Sequence, residues 1–218
     1  MEAPAPDPDD KTQRLLRRAA EGDQEGWRLL LAQHRGRLRR MVALRLDQRL
    51  QGRIDPSDVI QEAFLEASVR LPEYLRQPSM PFFLWLRFLT GQKLVALHRH
   101  HLRTDMRDAS REISLYHGAL PKTSSAALAG HLLGRELLPS EAAMRAEMKI
   151  RLQEALNGMD PLDREVLALR HFEQLNNRET AQALDIQEAA ASKRYVRALR
   201  RLKDILTSKD GGLGGPGA

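Results

Sequence analysis

The chain has 218 residues, 29% of them charged and 42% hydrophobic, which allows one or two domains with small packed cores. Its net charge of +6 favours nucleic acid or another anionic partner. Cysteine is absent, which excludes disulfides, thiol chemistry and cysteine-ligated zinc.

Residues 1–12 carry three prolines and four acids with almost nothing to bury, and read as a disordered tail. They lack the apolar core of a signal peptide, and no apolar run approaches the roughly 18 residues of a membrane span. No membrane insertion and a cytoplasmic location are therefore expected. A helix runs from Gln13 to Ala20 and stops at Glu21-Gly22-Asp23. The next reaches about Leu46 and buries Trp27, Leu30, Leu31, Leu38, Met41 and Val42. Asp55-Pro56-Ser57-Asp58 opens another, with a capping Asp, Pro at the first helical position and an acid in the first turn. Val59, Ile60, Ala63, Phe64, Ala67 and Leu71 form its inner stripe, and Pro72 to Pro81 reads as a loop. Asp58, Gln61, Glu62 and Glu66 lie mostly opposite that stripe, as an acidic and amide surface suited to a basic partner. Helix returns from Phe82 to about Arg103, with Phe83, Leu86, Leu89, Leu94 and Leu97 available for packing.

From Thr104 to Ser140 small residues, glycines and prolines mark a linker with room for one short helix. A second helical block begins near Glu141. Met148, Leu152, Ala155 and Leu156 line a helix that ends at Asn157-Gly158, and Asp160-Pro161 starts the next. A short helix from Asn177, a turn at Asp185 and a longer basic helix from about Gln187 to Lys203 then make a helix-turn-helix, a motif for the DNA major groove. Asn177 is the expected cap of its first helix. Ala191, Tyr195, Ala198, Leu199 and Leu202 form the inner face of the second. Lys193, Arg197, Arg200 and Arg201 lie opposite, with Arg194 at the margin. The glycine-rich end of the chain, residues 208–218, reads as a flexible tail. The fold class is all-α: two small helical domains joined by a flexible linker, the second containing the helix-turn-helix.

Lys93, Arg99 and Arg103 follow the aromatics Phe82, Phe83, Trp85 and Phe88, a combination suited to unstacked single-stranded DNA. Phe83 and Trp85 are nevertheless expected in the core. His98 and His101 are at i, i+3 spacing, but no carboxylate completes a ligand set, so a DNA-facing surface outweighs a metal site. There is no glycine-rich phosphate loop and no GxSxG or HExxH pattern. No cofactor, metal or enzymatic activity is expected.

In their order, these segments resemble bacterial sigma-70 family sigma factors of the extracytoplasmic-function (ECF) type. The resemblance is carried by Glu21-Gly22-Asp23 with Trp27, by Asp55 to Phe64, by Phe83-Leu84-Trp85-Leu86 onward, and by Asp163 to Arg170 with the helix-turn-helix. It implies a region-2-like domain over 13–104, for polymerase binding, minus-ten recognition and melting. A linker over 105–140 follows, then a region-4-like domain over 141–207 for the minus-thirty-five box. Asp58, Gln61, Glu62 and Glu66 would bind the clamp coiled coil of the largest polymerase subunit. Gln92, Lys93, Arg99, His100 and Arg103 would contact the minus-ten element. Gln77, Ser79 and Met80 mark the region that captures a flipped base. Glu188, Ala189, Ala190, Ser192 and Lys193 would face base edges, while Arg178, Arg194, Arg197 and Arg200 would hold phosphates. The Thr104–Ser140 stretch spans at most about 120 Å extended. That covers the roughly 58 Å between boxes about 17 base pairs apart.

The implied partners are core RNA polymerase and promoter DNA, with an anti-sigma factor as a further candidate. The rival reading is a stand-alone helix-turn-helix regulator that binds duplex DNA as a dimer.

Overall fold

The computed structural model describes residues 8–101, 123–133 and 142–208. Among these residues the structure is helical throughout, with nine α-helices and a single isolated bridge between Gln51 and Ile54. The chain divides into two compact units. Unit 1 is Met1–Val42 with Arg49–Glu112, and unit 2 is Ala43–Gln48 with Ile113–Ala218.

Unit 1 holds α1 (Pro8–Ala20), all but the last turn of α2 (Gln24–Arg45), α3 (Pro56–Arg76) and α4 (Phe82–His101). Helix α1 starts at Pro8, ahead of the Gln13 expected from the sequence. Pro at a helix start and acids in the first turn favour this. The buried Thr12 anchors it by accepting from Gln33 Nε2 at 2.7 Å. Gly22, at φ +85°, turns the chain into α2, whose first amides are capped by Asp23. Asp55 caps α3 as expected, its carboxylate accepting from Ser57 N at 2.7 Å.

Where a loop is expected from Pro72, α3 continues through that proline to Arg76. Packing explains the difference. Leu71 and Tyr74 flank Pro72 and are both buried, and Tyr74 stacks on Trp85 at a centroid distance of 4.6 Å. Its hydroxyl donates to Met80 O at 3.0 Å. These contacts outweigh the proline's missing amide donor. The core around them comes from Leu30, Leu38, Met41, Ile60, Ala63, Leu86 and Leu94. Phe83 and Trp85 belong to it as expected, and so does Phe82. Trp27 and Phe64 are half-buried, not fully inside.

Unit 2 contains α5 (Ser125–Leu132), α6 (Ala142–Asn157), α7 (Pro161–Leu167), α8 (Asn177–Leu184) and α9 (Glu188–Ser208). The short helix allowed for in the linker is α5, and it is packed. Leu128 and Ala129 share one core with Leu44, Leu152, Leu156, Leu167, Phe172 and Ala198. Its cap residue, Ser124, also donates its amide to Leu44 O at 2.9 Å. Arg45, fully enclosed, is neutralised by Glu165 and Glu173, and Thr123 adds a hydroxyl to Glu165 at 2.7 Å. A buried guanidinium is tolerated only with such compensation. Asp160 caps α7, which widens into a π-helical turn over Ala168–Phe172.

Candidate nucleic-acid interface

The helix-turn-helix is built by α8, the turn at Asp185 and α9. Its first cap is Asn176, not the expected Asn177. Asn176 Oδ1 accepts from Glu179 N at 2.8 Å, and Glu179 Oε2 accepts from Asn176 N at 2.9 Å, a reciprocal capping box. Asn177 instead sends its side-chain amide to Glu188 O at 2.9 Å, tying the start of α8 to the start of α9. Asp185 closes α8 at φ +48°, ψ +52°. The amides of Asp185 and Ile186 return to Gln182 O and Ala181 O at 3.3 and 3.0 Å. This is the Schellman arrangement, made here by Asp where Gly is commoner.

Ala181, Ala191 and Ala198 are buried where the helices approach, so backbones come close at small steric cost. Tyr195 and Leu202 are half-buried, as the inner face requires, and Tyr195 is 3.0 Å from His171 Nε2 through its hydroxyl. Leu199 departs from expectation: it is 36% exposed, with Val196 beside it at 42%. Leu199 lies at the edge of the inner stripe, and Val196 falls outside it, towards the Lys193 and Arg200 side.

The expected base-reading residues Glu188, Ala189, Ser192 and Lys193 are all exposed at the N-terminal half of α9, with Ala190 half-buried. Arg178 on α8 and Arg200 on α9 are also exposed. Arg194 and Arg197, named for phosphates, are engaged inside unit 2. Arg197 grips Asp163 through Nε and Nη2, both at 2.7 Å, and Arg194 Nη1 donates to the same carboxylate at 2.9 Å. Asp163 is 3% exposed, and its hydrogen bonds from Arg197 hold its carboxyl below the usual range. Arg201 is likewise occupied, donating to Gly158 O at 2.6 Å. The sequence signal for Asp163 was faint: an acid in the first turn of a capped helix looks like an ordinary dipole partner.

In unit 1, Asp58, Gln61 and Glu62 are exposed on α3. Leu65 and Val69, 64% and 79% exposed, share their face within about 100° of arc. These two apolar residues fall out of phase with the inner stripe, which was the readable signal that they point outward. Glu66 is half-buried and belongs to a bridge: Lys93 of α4 reaches its Oε2 and Arg70 its Oε1, each at 2.6 Å. Two residues assigned to different ligands are thus partners of each other. Gln92, Arg99 and His100 lie on the outer face of α4, exposed; His98 is buried and His101 exposed. Arg103 lies outside the described residues. Gln77 and Ser79 are exposed in the connection between α3 and α4, and Met80 is half-buried.

Among the described residues, no group of three or more His, Asp or Glu side chains is placed to hold a metal ion, and no helix is long and apolar enough to cross a membrane.

The family description "Sigma-70, region 4" matches residues 149–202, the part of the chain that holds most of α6 and all of α7 and α8. The chain is 28% identical over 194 residues to the ECF RNA polymerase sigma factor SigD of Mycobacterium tuberculosis, covering 89% of this chain and 83% of that one. It is 39% identical over 59 residues to the RNA polymerase sigma-E factor of Streptomyces avermitilis, 33% of that protein's length. Among solved structures, CnrH in complex with the cytosolic domain of CnrY superposes with a TM-score of 0.53 at 22% identity, over 91% of this chain and 99% of that one, a likeness of fold. Together these likenesses support an extracytoplasmic-function RNA polymerase sigma factor of the sigma-70 family, with the region-4 match confined to residues 149–202.

Proposed function

We propose that this sigma factor divides its work between its two units. Unit 1 docks on core RNA polymerase through Asp58, Gln61, Glu62 and the adjoining Leu65 and Val69, and meets the melted minus-ten strand with Gln92, Arg99 and His100. Unit 2 reads the minus-thirty-five box with Ala189, Ala190, Ser192 and Lys193, while Arg178 and Arg200 hold phosphates. The observation that carries the reading is the capped helix-turn-helix, whose small-residue seam leaves a polar and basic face of α9 outward.

A mixed acidic and apolar face suits a protein partner better than DNA, because phosphates repel Asp58 and Glu62 while exposed Leu65 and Val69 gain from burial. RNA synthesis itself belongs to the polymerase, so the sigma factor contributes binding and positioning, in the cytoplasm where the polymerase works. Regulation by an anti-sigma protein is supported by the relative CnrH, solved with the cytosolic domain of CnrY.

The test is co-purification with core polymerase, then footprinting of open complexes on a genomic promoter library. A stable complex with a melted bubble downstream of a selected box is expected. Tight duplex binding without polymerase association would replace this reading with a stand-alone regulator.

A further inference from the structure

The face of α9 opposite its seam carries Lys193, Arg197 and Arg200, with Arg194 and Arg201 at the margin. On charge alone all five would count as phosphate contacts. Their surroundings divide them. Arg194 and Arg197 converge on one carboxylate, Asp163, in the first turn of α7. The Asp163 side chain is 4% exposed, while that of Arg197 is 59% exposed. The asymmetry matters. A buried carboxylate stripped of its donors pays a desolvation penalty that water cannot relieve, whereas the exposed arginine loses little by staying. The bidentate geometry adds a directional hold that a mobile phosphate must match.

We infer that Asp163 is a specificity-determining positioning residue: by holding Arg194 and Arg197 against α7 it withholds two cations from the DNA backbone and fixes the rotation of the recognition helix. This rests on the helix-turn-helix reading above. Sequence-independent attraction grows with every phosphate neutralised, while base discrimination comes from a few outward side chains. A helix that engaged all its arginines would bind any duplex more tightly and distinguish promoters less well. Asp163 limits the first term and orients the second. The arginines left for phosphates are Arg178 and Arg200, beside Lys193 at the reading end.

The test is the salt dependence of duplex binding by the full chain, followed by fluorescence anisotropy on a labelled duplex of unrelated sequence and on a selected minus-thirty-five duplex. Each phosphate contact contributes about 0.9 to the slope of log affinity against log salt. Asp163→Asn should steepen the slope on both duplexes, by up to two such contacts, and lower the ratio of selected to unrelated affinity. Arg197→Gln, whose amide can still donate to Asp163 and whose helical fold is checked by circular dichroism, should leave the slope unchanged, whereas Arg200→Gln should reduce it by about 0.9. If Arg197→Gln flattens the slope as much as Arg200→Gln, Arg197 is on the backbone and the inference is overturned, whether or not the Asp163 variant folds. If the wild-type chain binds neither duplex even at low salt, the helix-turn-helix reading fails and the inference falls with it.

Discussion

Lys93 Nζ lies 2.6 Å from Glu66 Oε2, and this pair joins α4 to α3. It links the helix proposed to read DNA with the helix proposed to dock on polymerase. The hydrogen bond from Lys93 is the largest cause holding the Glu66 carboxyl below its ordinary 4.5, so the pair is stabilising above that pH and is lost as pH falls through the lowered value. With the side chains 29% and 23% exposed, its contribution is on the order of 1 kcal/mol. Lys93→Met and Glu66→Gln should each lower the urea midpoint of unit 1, and the double variant should lose less than their sum. The chain's two tryptophans, Trp27 and Trp85, both lie in unit 1, so their fluorescence follows that unit. Strictly additive losses would show that the bridge carries no coupling.

His34 predicts an acid-labile unit 1. The ring is 4% exposed, packs against Phe82 and Phe83, and neither of its nitrogens has a hydrogen-bond partner. Burial first, then the charge of Arg37, lowers its pKa from 6.5 to about 4. The unfolded chain therefore binds the proton more readily, and stability declines as pH drops from 6.5 towards 4. The loss is on the order of 3 kcal/mol. His34→Phe should flatten this part of the pH–stability profile. A variant with the same acid slope as wild type would remove His34 as the cause.

On the proposed docking face, Asp58→Ala with Glu62→Ala should weaken binding to core polymerase while shifting the thermal midpoint by only about 2–4 °C, since both side chains are exposed. Leu65→Asp should weaken it further by removing apolar area from the same face. Affinity measured by biolayer interferometry that does not change in either variant would move the docking site elsewhere.

Lys193→Ala and Arg200→Ala should fail differently. A good base contact at Lys193 is worth about 1–3 kcal/mol, lost only on promoters with the preferred box. Arg200→Ala should cost the same on every sequence. Competition binding against a randomised minus-thirty-five library separates the two. A uniform loss for Lys193→Ala would mark it as a backbone contact.

Asp185 stands at φ +48°, where glycine is unstrained and a branched side chain is not. Asp185→Val should destabilise unit 2 by about 1–2 kcal/mol, and Asp185→Gly should be neutral or mildly stabilising. Thermal melting followed by circular dichroism tests this, and a well-tolerated Val would mean that the turn relaxes.

Local signals were legible wherever they were self-contained. Asp55-Pro56 and Asp160-Pro161 each bring a cap, a fixed φ and an acid together within a few residues, and both open helices as read. The helix-turn-helix was legible because small and apolar residues recur in phase on both sides of Asp185. What escaped depended on distant partners. Helix α3 passes Pro72 because Tyr74 finds Trp85 eleven positions on. Asn176 outcompetes Asn177 because Glu179 is three residues away, the spacing that closes the box, while Asn177 is drawn to Glu188. Lys93 and Arg197 looked like free cations because sequence spacing carries no record of the carboxylates that fold against them.

The alanine seam of α9 has a consequence for how such a factor diverges. Ala191 and Ala198 are fully buried, whereas Ala189, Ser192 and Lys193 are exposed on the other side of the helix. Residues that do not share neighbours change with nearly independent effects. A lineage can therefore rewrite which promoters it answers to, one outward side chain at a time, without renegotiating the scaffold that presents them. Duplicated copies can part company in their gene sets long before their folds differ.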